Sequence, residues 1–126
     1  MGAVLTIAVI GMKEAFPATP VSRQHRLNVL SLQGEIDLHV SPDVSRSIDS
    51  MVEKKPERIV IDLSRATFID SSGLAALIVA MQMVEAYGGK LFLTGLHETM
   101  RSIFATSRLD QVFQILPDVD AALAET

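Results

Sequence analysis

The stretch Ala66-Thr67-Phe68-Ile69-Asp70-Ser71-Ser72-Gly73-Leu74 joins a β-branched run to a long apolar segment. The run before it, Arg58–Leu63 (RIVIDL), has the composition of a buried central strand. The segment after it, Leu74–Val84 (LAALIVAMQMV), contains one polar residue and no helix breaker, so it predicts a helix that begins at Ser71 or Ser72. A buried strand that turns directly into a helix indicates the α/β fold class. It also places the turn at the carboxyl end of a parallel sheet, where such folds usually carry their function.

Strand and helix patterns alternate on both sides of this turn. They predict the order β-β-α-β-α-β-α-β-α, hence a single mixed β-sheet with about four helices packed on it. The first two strands, Val4–Gly11 and Leu27–Gln33, are separated by a polar stretch, Lys13–Arg26, that predicts a long loop. We expect these two strands to pair as an antiparallel hairpin and the later strands to pair in parallel. A further helix is predicted to begin at Ser41-Pro42-Asp43, with Ser41 as its cap, and Gly88-Gly89 is predicted to end the second helix. The remaining predicted elements are the strands Lys90–Thr94 and Gln111–Leu116, a helix within Leu96–Thr106 and a short helix after Pro117-Asp118.

Length and composition exclude several classes of protein. The chain has 126 residues, 48% of them hydrophobic, which predicts one domain over residues 1–126, with a first strand and a long loop in 1–26. It has no Cys, which excludes a disulfide scaffold, a thiol nucleophile and a zinc–thiolate site. A net charge of −4 without a basic cluster argues against nucleic-acid binding. The apolar start, Met1–Met12, is too short to span a bilayer and has no basic residue before it, so we expect a cytoplasmic protein without stable membrane insertion.

Ser71 has two interpretations at the start of the second helix. In the first, its hydroxyl is only the helix cap and accepts a hydrogen bond from the N–H of Gly73 or Leu74. In the second, Ser71 is a phosphorylation site, because a phosphate at a helix start meets unpaired N–H groups and the positive end of the dipole. Gly73 then removes side-chain bulk beside the hydroxyl and lets another protein's active site approach.

The second helix is apolar on both faces, which favours a partner surface. Leu74, Leu77, Ile78, Met81 and Val84 form the stripe that we expect to face the sheet. The other side of the helix then carries Ala76, Val79, Ala80 and Met83, where an ordinary surface helix would be polar. We interpret this outer face as a surface that binds a partner, with deeper burial inside the fold as the alternative.

Two carboxylates follow the second predicted strand. Glu35 and Asp37 alternate in sequence, so both side chains project one way if the strand continues through them. One interpretation is a solvated strand end. The other is an acidic rim beside the serine that contacts basic residues of a partner.

The sequence contains no pattern of residues typical of a catalytic site. Ser71 is not in a Gly-x-Ser-x-Gly turn, and a hydrolase would need a His and an acid within its reach. His25, His39 and His97 are scattered and show no metal-ligand spacing, so we expect no metal site and no catalytic residue. A serine hydrolase remains the remote alternative.

Several motifs together resemble the STAS domain family, specifically the bacterial anti-sigma factor antagonists. The resemblance covers about residues 27–123. It rests on Gly34-Glu35-Ile36-Asp37-Leu38, Ile59–Leu63, Phe68-Ile69-Asp70-Ser71-Ser72-Gly73-Leu74, Gly88-Gly89-Lys90-Leu91, Gly95-Leu96, Ile103-Phe104, Leu109-Asp110 and Phe113-Gln114-Ile115. The chain departs from the usual pattern in its long Lys13–Arg26 loop, in His97 at a usual cap position and in Arg108 where Gly is frequent.

The resemblance implies a mechanism of partner switching. In this family the unphosphorylated antagonist binds an anti-sigma factor that is also a serine kinase, and a sigma factor is released. Phosphorylation of the serine that matches Ser71 ends binding, and a serine phosphatase restores it. Asp37 matches an acidic position that faces the kinase, and Asp70 and Ser72 flank the modified serine. The kinase carries ATP and Mg²⁺, so the chain itself needs no cofactor. The alternative within the family is a STAS scaffold subunit of a stress-sensing assembly, or of a transport or lipid-trafficking system.

Overall fold

The computed structural model describes residues 3–10, 19–23 and 27–125. The strands in these segments are β1 Ala3–Ile10, β2 Thr19–Arg23, β3 Leu27–Ile36, β4 Arg58–Ile69, β5 Lys90–Thr94 and β6 Gln114–Leu116. The helices are α1 Ser41–Val52, α2 Ser71–Ala86, α3 Glu98–Thr106 and α4 Val119–Ala124, with one 3-10 turn at Leu109–Gln111. The predicted α/β class with four helices on one mixed sheet is confirmed.

The strands lie in the order β2-β1-β3-β4-β5-β6. β1 and β2 are antiparallel, and every other neighbouring pair is parallel. The predicted pairing of the first strand with Leu27–Gln33 as a hairpin is therefore wrong. The chain reverses direction between β1 and β2 and again between β2 and β3, so β3 runs in the same direction as β1. The rest of that loop, residues 13–18 and 24–26, lies outside the described residues.

β4 is twice as long as predicted, and this positions the site. Its first half pairs with both β3 and β5, as far as Asp62 opposite Thr94. Beyond that point β5 has ended, but β4 continues beside β3 through two register shifts until Ile69 lies opposite Ile36. The start of α2 is thereby carried past the end of β5 and set against the end of β3.

Two cores hold helices to the two faces of the sheet. The larger one joins α1, α2 and α3 to one face through fully buried side chains such as Ile48, Leu77 and Phe104. The smaller one joins Ala122 of α4 to the opposite face. The buried Arg58 donates hydrogen bonds to the Ala122 and Leu123 carbonyls and so satisfies the last turn of α4.

The helix ends follow the sequence signals in part. Pro42 lies in the first turn of α1, as predicted, but the N-cap residue is Val40 and no side chain caps the helix. The Asp37 carbonyl instead accepts hydrogen bonds from the N–H groups of Val40 and Ser41, so a backbone turn leads into α1. Gly88, with φ of +87°, ends α2 as predicted.

Candidate functional site

Asp70 caps α2 and fixes the geometry around Ser71. Its backbone is extended, and its Oδ1 atom accepts hydrogen bonds from Ser72 N (2.9 Å), Gly73 N (3.1 Å) and Ser72 Oγ (2.6 Å). The interpretation of Ser71 as the cap is therefore wrong. Asp70 takes that role because it keeps the extended backbone of an N-cap, whereas Ser71 is already the first helical residue.

The Ser71 side chain is left exposed by this arrangement. Its hydroxyl forms no hydrogen bond with another described residue, and the residue lies at the surface of the first turn of α2. The expectation that a phosphate there would meet unpaired N–H groups is corrected, since the Asp70 carboxylate already accepts from Ser72 N and Gly73 N. A phosphate on Ser71 would instead lie next to a carboxylate of like charge.

Gly73 is needed for packing and not for the approach of a partner. The residue is buried, and a Cβ atom on it would lie 2.6 Å from Ile69 Cγ1 and 2.9 Å from the Ile36 carbonyl oxygen. That carbonyl also accepts a hydrogen bond from Asp70 N at 3.1 Å. The missing side chain thus lets α2 begin directly against the end of β3, and the prediction that Gly73 contacts a partner is wrong.

An apolar groove runs beside Ser71, between the start of α2 and the second half of α3. Its volume is about 560 Å³. We call it the Ser71 groove; it is lined by Phe68, Ile69, Asp70, Ser71, Leu74, Ser102, Ile103, Thr106 and Ser107. Its walls are mainly apolar, and hydroxyl groups lie along both of them. Any group that fills the groove must contact the Ser71 side chain.

The loop between β3 and α1 forms the other border of the site. Glu35 is exposed and lies opposite Phe68 in the β3–β4 register. β3 ends at Ile36, so the strand alternation that would place Glu35 and Asp37 on one face does not extend to Asp37. The Asp37 carboxylate instead accepts a hydrogen bond from His39 N (3.0 Å) and shapes the turn.

Two exposed apolar side chains in this region were missed by the sequence reasoning. Leu38 is 70% exposed and Phe68 is 44% exposed, and they belong to the two chain segments that Asp70 holds together. The available signal was a leucine inside an acidic turn, where a solvated loop would be polar. These side chains add apolar surface to the surroundings of Ser71.

The outer face of α2 is smaller than predicted. Val79 is 51% exposed and Ala76 and Met83 are partly buried, but Ala80 is 1% exposed and belongs to the larger core. Ala80 is covered because α1 packs alongside α2 on the same side of the sheet. The prediction that Ala80 belongs to a partner surface is therefore wrong. What remains is an open groove of about 380 Å³ between the two helices, which we call the α1–α2 groove, lined by Ser41, Pro42, Ser45, Ser72, Ala75, Ala76 and Val79.

The Asp70 carboxyl is held in its charged form. The hydroxyl of Ser72 lowers the pKa of Asp70 most, followed by the N–H of Gly73, against a smaller opposing effect of burial; the N–H groups of Ser72 and Leu38 lower the pKa further. A folded-state pKa below the unfolded value means that the carboxylate stabilises the fold above the ordinary Asp pKa. That stabilisation is lost as the pH falls through the lowered pKa.

Replacing Asp70 with Asn tests how much the charge of the cap contributes to stability, apart from its hydrogen bonds. Asn still accepts a hydrogen bond from the helix N–H groups but has no charge to interact with the dipole. We expect Asp70→Asn to unfold about 3 °C below the wild type at pH 7, and the difference to shrink as the pH falls below about 4. Thermal melts followed by circular dichroism measure this, with Asp49→Asn on the exposed side of α1 as the control. If the melting temperatures of the wild type and Asp70→Asn differ by the same amount at pH 7 and well below pH 4, this explanation of the cap is contradicted.

The described histidines do not assemble a catalytic site at Ser71. His39 lies in the β3–α1 loop, and His97 Nε2 lies 3.1 Å from the Ser64 carbonyl oxygen; neither lines the Ser71 groove. Among the described residues no group of three His, Asp or Glu side chains is placed to hold a metal ion. No helix in the described part of the chain is both long and apolar enough to cross a membrane.

Comparison with known proteins identifies the class to which this fold belongs. The family model of the STAS domain matches residues 18–122, and the chain belongs to that family. An anti-sigma F factor antagonist of Paenibacillus polymyxa is 27% identical over 108 residues, covering 83% of this chain and 92% of the relative.

Two solved structures share the fold. The Bacillus cell fate determinant SpoIIAA in its phosphorylated form matches with a TM-score of 0.62 and 23% identity, over 91% of this chain and 96% of SpoIIAA. A sulfate transporter family protein of Wolinella succinogenes matches with a TM-score of 0.70 and 20% identity, over 78% and 82% of the two chains. At these identities the likeness concerns the fold alone.

Proposed function

We propose that this chain is an anti-sigma factor antagonist that acts by partner switching. In its unphosphorylated form it binds an anti-sigma factor that is also a serine kinase, and a sigma factor is thereby released in the cytoplasm. Phosphorylation of Ser71 ends binding, and a serine phosphatase restores it. The proposal depends on one observation: the Ser71 hydroxyl is exposed, has no hydrogen-bond partner among the described residues and lies on the rim of an apolar groove.

The names of similar proteins support this proposal. The Paenibacillus relative is an antagonist of an anti-sigma factor, and it aligns over most of both chains. SpoIIAA, which shares the fold, is described in a phosphorylated form.

We assign the partner surface to the two grooves that border the start of α2. Around the Ser71 groove it comprises the exposed Glu35 and the partly buried Asp37 and Asp70, together with Leu38 and Phe68 as apolar contacts. The partly buried Ser72 lies on the α1–α2 groove. Along the α1–α2 groove it continues through Ala76, Val79 and Met83. The acidic side chains at the border favour a partner that carries Lys or Arg around an apolar centre.

The chemistry of the switch is a phosphoryl transfer for which the kinase supplies ATP and Mg²⁺. A bond forms between Ser71 Oγ and the γ-phosphorus of ATP, the bond from that phosphorus to the oxygen of ADP breaks, and the hydroxyl proton passes to a base on the kinase. The exposed position of Ser71 allows this without unfolding of α2. The product carries about −1.5 to −2 charges at the rim of an apolar groove, where a bound partner would have to desolvate them.

Mapping the phosphate tests the proposal. The chain is incubated with its cognate kinase and ATP, digested, and analysed by mass spectrometry. We expect one phosphate, on Ser71, and none on the Ser71→Ala variant. Ser72 is the internal control, because its hydroxyl is already bound to Asp70 at 2.6 Å. Phosphate on Ser72 alone, or on neither residue, would refute the proposal.

A second candidate function is that of a STAS subunit of a transport system. The likeness to the Wolinella sulfate transporter family protein favours it. This function predicts that no anti-sigma kinase phosphorylates the chain on Ser71. It also predicts that the wild type and Ser71→Asp bind a membrane transport protein with equal affinity. The phosphate-mapping experiment therefore distinguishes the two functions.

A further inference from the structure

Arg108 has a backbone conformation that an arginine rarely adopts. Its φ of +61° and ψ of +18° lie in the left-handed region, which favours glycine. In the described part of the chain, Lys55 is the only other residue besides glycines with a positive φ. Strained positions of this kind persist when the surrounding structure imposes them, and they are frequent at functional sites.

Arg108 is next to the Ser71 groove. It follows Ser107, which lines the α3 wall of the groove, while Ser71 lines the opposite wall at the start of α2. The backbone there is held by hydrogen bonds from Arg108 N to the Ala105 carbonyl (3.0 Å) and from Ser107 Oγ to the Ile103 carbonyl (2.7 Å). The backbone of Arg108 is therefore fixed at the border of the groove, and its long side chain is exposed.

Two described arginines, Arg101 and Arg108, are next in sequence to residues that line this groove. None of the residues that line it is basic. Arg101, about two turns earlier and within α3, donates its Nε–H to the Leu96 carbonyl at 3.0 Å. Arg108 is exposed and forms no hydrogen bond or ion pair through its side chain with another described residue.

A phosphate on Ser71 would need such a cation. The N–H groups of Ser72 and Gly73 already bind the Asp70 carboxylate, so they are not free to receive the phosphate. The same carboxylate carries a charge of like sign and repels the phosphate. Arginine is the side chain best suited to bind phosphate oxygens, because its guanidinium donates two parallel hydrogen bonds.

We propose that the guanidinium of Arg108 binds the phosphate of phosphorylated Ser71 across the Ser71 groove. This inference rests on the proposed function of Ser71 as the phosphoacceptor. The ion pair links α2 to the end of α3 and covers the apolar groove, so the modification closes part of the partner surface as well as adding charge to it. The unphosphorylated chain leaves the groove open.

The test installs phosphoserine at position 71 genetically, so that it depends on no kinase and no partner. The pKa of the phosphate is then measured by a ³¹P NMR titration. A paired guanidinium stabilises the dianion, so we expect Arg108→Gln to raise the second phosphate pKa by about 0.5 unit. Asp70 is present in both proteins and its effect cancels. Arg46→Gln is the matched control, because Arg46 lies on α1 and pairs with Asp43.

A second variant, Arg108→Gly, tests whether the change in the phosphate pKa comes from loss of the guanidinium or from misfolding. Glycine relieves the backbone strain, so this variant should melt above the wild type while showing the same rise in the phosphate pKa. Identical titrations of the wild type and Arg108→Gln would overturn the proposal, even if the kinase modifies Ser71. A shifted titration would support the ion pair, even if phosphate mapping failed and the proposed function fell.

Discussion

Replacing Ser71 with Asp is expected to weaken binding to the anti-sigma factor at least tenfold, whereas Ser71→Ala should bind within a few fold of the wild type. The Ser71 hydroxyl has no hydrogen-bond partner to lose among the described residues, so Ala leaves the groove and the fold as they are. Asp places one negative charge on the apolar rim of the groove, and this charge must lose its water when the partner binds, which weakens the complex. A true phosphate carries more charge and should cost about a hundredfold, or about 3 kcal/mol.

Titration calorimetry with the purified partner measures these affinities. The matched control is Ser50→Asp, which adds the same charge to the exposed side of α1. The new charge interacts favourably with the helix dipole but lies next to the Asp70 carboxylate, so a thermal melt of Ser71→Asp separates weaker binding from a less stable fold. Equal affinities of the Ala and Asp variants would contradict the role of charge at this position.

The second large effect concerns the fold itself. Gly73→Ala should destabilise the protein by about 2 kcal/mol, and Gly73→Val should do so by more. Helix propensity alone predicts the opposite, since Ala is about 1 kcal/mol better than Gly in a helix. The steric effect prevails because the new Cβ would lie 2.6 Å from Ile69 Cγ1 and 2.9 Å from a backbone oxygen that already accepts the Asp70 N–H.

Urea denaturation measures the free energies of unfolding. The control is Ala75→Gly on the exposed side of the same turn, which should lose only the propensity difference of about 1 kcal/mol. A Gly73→Ala variant that is more stable than the wild type would show that α2 can move away from β3, and that the close contact does not fix the position of Ser71.

The residues that determine the fold class could be read from the sequence because their patterns are local. The β-branched run Arg58–Leu63, the apolar segment after Ser71 and the glycine pair after α2 each indicate one element without reference to the others. Their order then restricts the sheet to parallel neighbours, which the structure confirms for β3 to β6.

The pairing of the first strand depends on contacts that local patterns do not contain. β2 includes Pro20, which reads as a loop signal, yet a proline is tolerated in an edge strand such as this one. Once β2 forms, the direction of β3 relative to β1 is reversed from the predicted hairpin. The continuation of β4 beyond Leu63 was also missed, because Ser64-Arg65-Ala66-Thr67 lacks the apolar run of a central strand and is held by β3 alone.

The junction between β4 and α2 was predicted where the structure has it, but the roles of some residues around it were predicted wrongly. Sequence placed Ser71 at the start of a helix, but both Asp70 and Ser71 are good capping residues, and only the backbone geometry decides between them. Helical spacing placed Ala80 on the outer face, and it could not anticipate that α1 covers this side of α2. Arg108 was noted only as an unusual residue, since its position relative to Ser71 depends on how α3 packs.

The central claim is that one exposed hydroxyl decides whether two proteins stay together, and adding ATP to a preformed complex tests it most directly. The chain is bound, without nucleotide, to the anti-sigma kinase that we propose as its partner. ATP and Mg²⁺ are then added, and the amounts of complex and of phosphate are followed together by native mass spectrometry. We predict that the wild type leaves the complex as it gains one phosphate, while Ser71→Ala stays bound under the same conditions. A wild-type chain that is fully phosphorylated on Ser71 and still bound, or a Ser71→Ala chain released at the same rate, would contradict the account.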